Sequence, residues 1–304
     1  MENIVLIFLC IAAGFLLRRL TPLPPDSYKA VNVWVLYVAL PAMSLRYLPG
    51  VIWNTEMLLP VLGPFLLWGL AWVYAAIYAR LKKIDKATRL VMLISCGLGN
   101  TGFLGFPLVS AFYGPEGMSI AIVFDMGVFI LFCTVGVAAV LKTAGQGSGE
   151  KVKITYLLKR MIFFPAFLGC VSGLILPHFL DISPLYPLLD LFVPTVAPLG
   201  LFALGLQLEF KEYGRSAEHI AFALLYKLIL SPLLVLGLSL LMGAKGLAAQ
   251  VSVMQAGVGA HVTISLMASQ FNQNPRLCGL MVGTSIACAL VTVPLLYSML
   301  KFVF

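Results

Sequence analysis

Charge is scarce in this 304-residue chain: 11% of positions are charged, with only 12 acidic residues and 3 histidines in all. A soluble globular surface needs about a quarter of its residues charged, so this composition excludes one. Long polar stretches are also missing, which leaves no room for a soluble domain. The six cysteines, at positions 10, 96, 133, 170, 278 and 288, sit inside apolar runs and show no metal-ligand spacing. They read as small packing residues, and neither a metal nor a cofactor is implied. There is no P-loop, no HExxH and no Ser-His-Asp arrangement, so the chain does not read as an enzyme. One literal GxGxxG, Gly97 to Gly102, has no strand before it, and a dinucleotide site needs that context.

What is present is hydrophobicity, at 61% of residues, with a mean hydropathy of +1.01. Spanning helices need roughly 20 apolar residues. Ten fit, at about 3–20, 28–48, 57–79, 89–113, 117–141, 155–176, 186–208, 217–242, 246–271 and 276–303. The first has no basic run before it and no small-residue cleavage site after it, so it is expected to stay as a span rather than act as a signal peptide. Numbering the two membrane faces alternately puts Arg18, Arg19, Lys29, Arg80, Lys82, Lys83, Lys86, Arg89, Lys142, Lys151, Lys153, Lys159, Arg160, Lys211, Arg215 and Arg276 on one face. Only Arg46, Lys245 and Lys301 fall on the other, and Lys227 lies within a span. By the positive-inside rule the crowded face is cytoplasmic and both termini are extracytoplasmic. The net charge of +8 is therefore a topology signal and not a nucleic-acid footprint.

Span 4 is apolar enough to cross a bilayer, yet its middle holds Gly97, Gly99, Asn100, Thr101, Gly102, Gly105 and Pro107. Glycine and proline weaken a helix, and each backbone group freed within hydrocarbon must find a partner. Three features recur at nearly one offset. Gly14 corresponds to Gly173, Pro41 to Pro198, and the break at Asn100 to Gly259 in span 9. The expected architecture is an all-α polytopic membrane protein of ten transmembrane helices. Two five-helix repeats, 1–141 and 155–304, are joined by a cytoplasmic linker at 142–154. Five spans are an odd number, so the second repeat is inverted. Interrupted spans in matching positions of inverted halves point to a transporter site at the midplane.

The run GLGNTGFLGFPLVSAFYG, Gly97 to Gly114, resembles the fourth helix of the auxin efflux carrier family. Leu40-Pro41-Ala42, the FDMG at Phe124 to Gly127, and Lys227 with Pro232 extend the resemblance along the whole chain. It implies a fold shared with bile-acid/sodium symporter-like carriers, in which broken helices 4 and 9 cross. Helices 1, 2, 6 and 7 would form a scaffold, and helices 3–5 and 8–10 a moving transport domain. The family usually carries proline at the second break and frequently an Asn just after it. This chain has Gly257, Val258, Gly259, Ala260, His261, Val262 and Thr263 instead.

The substrate-binding candidates are Gly99, Asn100, Thr101, Gly102, Gly259, His261 and Thr263, with Gln255 and Ser265 weaker. Amides, hydroxyls and freed backbone groups suit a carboxylate. Asp125 is the only acid deep in a span, and Lys227 is its expected partner. The two read either as a coupling site or as a fixed neutralising pair. His261 reads either as a proton relay or as a neutral donor to a freed carbonyl. Pro41, Pro107, Pro198 and Gly257 are the expected points where helices break or kink. The expected function is secondary transport or efflux of a small organic anion, a carboxylate or amphipathic weak acid, by elevator-like alternating access. A sodium-coupled symporter of the same fold and a non-transporting membrane sensor are the alternatives. Expected partners are the anion, a proton or sodium co-ion and the lipid bilayer, with a homodimer left open and no nucleic acid. The expected location is the plasma (inner) membrane.

Overall fold

The computed structural model describes residues 2–24, 26–145, 159, 161–208 and 214–304. The described elements are helical. They run α1 (Glu2–Leu20), α2 (Ser27–Gly50), α3 (Thr55–Lys82), α4 (Lys86–Gly97), α5 (Thr101–Ala144), α6 (Pro165–His178), α7 (Ser183–Gln207), α8 (Ala217–Met242), α9 (Gly246–Ala256), α10 (Val262–Gln270) and α11 (Pro275–Val303). Of these, α2, α3, α5, α7, α8 and α11 are each long and apolar enough to cross a membrane, as a polytopic membrane protein requires. Most of the expected linker, together with Lys151, Lys153, Arg160, Lys211 and the start of the sixth expected span, lies outside the described residues, and the side chain of Arg215 is not described.

Helix ends follow local chemistry. α3 stops where Lys83 turns left-handed, and Asp85 then caps α4 by accepting the Thr88 N–H at 2.9 Å. Asn274 caps α11 by accepting the Leu277 N–H, and its amide donates to the Thr88 hydroxyl at 2.9 Å. That chain of contacts ties the starts of α4 and α11 together. α8 ends at Gly243, whose φ of +67° favours glycine.

Two features bear on the expected spans. Within α5 the backbone leaves helical geometry at Gly114 (φ +64°, ψ −162°) before Pro115, where the fourth expected span ends and the fifth begins. And Pro107 does not break its helix. It follows a wide π turn, Thr101–Gly105, much as Pro41 follows Val35–Ala39 and Pro232 follows Leu225–Leu230. A proline lacks an N–H and crowds the carbonyl four residues back, and a widened turn accommodates both.

Two networks of helix contacts stand out, and they meet at α5. α1 lies along α7, α2 along α6, and α2 also along α7. Glycine permits these approaches: a Cβ on Gly14 would lie 2.2 Å from Phe202 O, and one on Gly173 would lie 2.7 Å from Ser44 O. Side chains reinforce the set, with Arg18 donating to Leu206 O, Trp34 to Thr195 and Arg46 to Asp190. The other set holds α3, α4, α5 and α8 to α11. Along the α3–α8 seam, Tyr74 donates to Phe222 O, Tyr226 donates to Leu67 O, Tyr78 meets His219 Nδ1 at 2.7 Å, and Lys82 pairs with Glu218 at 2.5 Å. Apolar contacts join the sets, among them Gly200 of α7 against Phe103 of α5. Large apolar side chains such as Leu241 and Phe302 face outward, as lipid contact requires.

Candidate functional site

Helix α4 ends at Gly97, and α5 begins at Thr101. Helix α9 ends at Ala256, and α10 begins at Val262. The two unwound stretches meet. Gly99 and Ala260 pair antiparallel, the Asn100 N–H donates to Gly259 O at 2.8 Å, and the His261 N–H donates to Leu98 O at 3.1 Å. Backbone groups that unwinding would orphan thus satisfy one another in the protein interior. The second break is held from behind by Ser285 of α11, whose hydroxyl accepts the Ala260 N–H at 2.9 Å. A Cβ on Gly259 would lie 3.0 Å from the Ile286 nitrogen, so glycine is needed there for close approach.

Polar side chains converge on this crossing. Asn100 is 2% exposed, and its Nδ2 has no hydrogen-bond partner. Its carbonyl accepts the Leu104 and Gly105 N–H groups and so starts α5. Thr101, also buried, donates its hydroxyl to Asp125 Oδ1. Gln255 is wholly buried with both amide atoms unpartnered, and a Cβ on Gly105 would lie 2.0 Å from its Oε1. Each unmet buried polar atom costs about 1–3 kcal/mol. Such a concentration suits a site that a polar ligand completes. His261 stands at the N-cap position of α10 without a side-chain capping bond, stacks on Phe132 with ring centroids 5.1 Å apart, and leaves Nδ1 without a partner.

The expected ion pair between Asp125 and Lys227 does not form. Lys227 is 2% exposed, and its Nζ lies 3.0 Å from where a Cβ of Gly99 would stand. Asp125 Oδ1 lies 3.6 Å from the corresponding point on Gly102. The two charges therefore face different glycines of the first break. Lys227 itself sits on the π turn of α8. Thr263 lies in the first turn of α10. Pro41 and Pro198 belong to the other set: Pro41 packs on Gly169 of α6, and Pro198 lies in the second half of α7, just after the 3-10 turn Val193–Thr195. Gly257 marks the end of α9. Ser285 and Phe132 escaped sequence reasoning, because an isolated serine or phenylalanine in an apolar helix carries no pattern. Among the described residues, no group of three or more His, Cys, Asp or Glu could hold a metal ion.

Two unwound helices meeting inside an apolar helical bundle define a membrane transport protein. The chain belongs to the auxin efflux carrier family: the profile described as "Membrane transport protein" matches residues 1–297. It is similar to an "Uncharacterized transporter" of Methanothermobacter thermautotrophicus, 24% identical over 300 residues covering 97% of this chain and 96% of that protein. It is also similar to a "Putative malonate transporter" of Rhizobium meliloti, 26% identical over 295 residues covering 92% of this chain and 89% of that protein.

Proposed function

We propose that this protein is a secondary carrier of a small organic anion, working by alternating access. The observation that carries the reading is the paired break, in which unpartnered Asn100 and Gln255 amides surround two helices that unwind and hydrogen-bond to each other. Half-helix N-termini at such a break favour anions. The similarity to a protein named as a malonate transporter supports a carboxylate. Asn100, Thr101, Gln255, His261 and Thr263 are the proposed side-chain contacts, with Gly99, Gly102 and Gly259 letting the ligand approach the backbone.

The proposed topology has ten spans: α1, α2, α3, α4 with α5 up to Gly114, the rest of α5, α6, α7, α8, α9 with α10, and α11. Inverted symmetry is supported by matching packing. Gly14 of α1 sits against Phe202 and Leu206 of α7, and Gly173 of α6 sits against Ser44 and Leu48 of α2, both related by an offset of 158 to 159 positions. On this reading α1, α2, α6 and α7 are the scaffold, and the remaining helices move as the transport domain. The apolar seam between the sets supports sliding, because few polar contacts need to break. The basic-residue bias supports an orientation with both termini outside, and the proposed location is the plasma membrane.

Purified protein reconstituted into liposomes is expected to take up radiolabelled carboxylates from a panel of mono- and dicarboxylates. Uptake no faster than in empty liposomes across the whole panel would overturn the reading.

A further inference from the structure

We infer that the site selects its substrate by charge: it takes monoanions, with the carboxylate against Lys227 and an uncharged, hydrogen-bond-donating end toward Asp125. This rests on the carrier function proposed above and adds a rule about which acids qualify. Lys227 is buried, and among the described residues no carboxylate lies within ion-pair distance of it. A buried ammonium without a counter-charge is costly, so an incoming carboxylate completes it. Its Nζ lies against Gly99, and the next residue in the chain, buried Asn100, carries an unpartnered Nδ2, so two donor groups belong to adjacent positions of the break.

Three residues on, the polarity reverses. Asp125 Oδ1 accepts the Thr101 hydroxyl and faces Gly102. A substrate spanning from Gly99 to Gly102 therefore meets a cation at one end and a carboxylate at the other. A second ionised carboxylate there would face a like charge in a medium that screens poorly. An amide, a hydroxyl or a protonated carboxyl could instead donate to Asp125.

Three molecules of nearly the same shape separate these cases: malonamate, malonate and malonamide, which at pH 8 carry one, two and no negative charges. Calorimetric titration of the full-length protein in detergent is expected to show malonamate binding at least about tenfold more tightly than either of the others. Lys227→Gln is expected to weaken malonamate roughly 30-fold or more, the scale of removing one partner from a buried charged contact. Lys227→Arg is expected to retain part of that affinity. Asp125→Asn is expected to narrow the gap between malonate and malonamate. Malonate binding as tightly as malonamate, or unchanged malonamate binding in a folded Lys227→Gln, overturns the charge rule. Carboxylate uptake by liposomes alongside such a result leaves the carrier reading standing, whereas no uptake removes both.

Discussion

Gln255 and Gly105 show how closely single residues are matched at the crossing. The Gln255 amide occupies the space that any side chain at position 105 would need. Gly105→Ala is therefore expected to force Gln255 aside, lowering stability by about 1–3 kcal/mol as overpacking does and reducing carboxylate affinity. A thermal melt with a binding titration checks both. The glycine was legible in the sequence as part of a broken span, but its partner was not, because they are 150 positions apart and no local pattern links them. Asp125 and Lys227 teach the same lesson with the opposite outcome. Opposite charges buried in one apolar chain suggest a pair, yet the Thr101 hydroxyl occupies Asp125 while Lys227 rests against Gly99.

Elements were more legible than contacts. Runs of apolar residues and the cluster from Gly97 to Pro107 marked the helices and the first break. The interruption at Gly114 was legible as well, because Gly-Pro stops one helix and starts the next between the fourth and fifth expected spans. The link between α4 and α11 also depends on a cap. Partial burial alone would raise the Asp85 carboxyl, but hydrogen bonds from the Thr88 hydroxyl and from the backbone N–H groups of Thr88 and Ala87 outweigh it and hold the group below its usual range. A depressed folded value means the stabilisation is present above the unfolded carboxylate range, near pH 4, and fades as pH falls through the folded value. Asp85→Ala is expected to cost about 1 kcal/mol at neutral pH, with the gap to wild type closing in acid. Melting curves across pH test it, and a gap that persists at the lowest pH would contradict the assignment.

At the scale of the whole molecule, the account requires two helix sets that move past each other. Gly200 of α7 lies against Phe103 of α5 on the seam, with a Cβ at Gly200 placed 3.8 Å from the Phe103 Cα. That keeps the two Cα atoms below the ~7 Å beyond which a disulfide cannot form. The double variant Phe103→Cys, Gly200→Cys is expected to lose transport on oxidation and to regain it on reduction. Undiminished transport with the bridge formed would show that the sets do not move there. Sequence symmetry, through Gly14 with Gly173 and the two breaks, is what led to the proposed repeat. The division into sets came from a resemblance, since no periodicity reveals which helices pack together.

The central claim is that the paired breaks form the site through which an anion is carried. The most direct test is the initial rate of carboxylate uptake by liposomes containing Asn100→Ala, set against wild type at equal protein incorporation and matched melting temperature. The account predicts uptake by wild type and loss of it in the variant. Equal rates would contradict it.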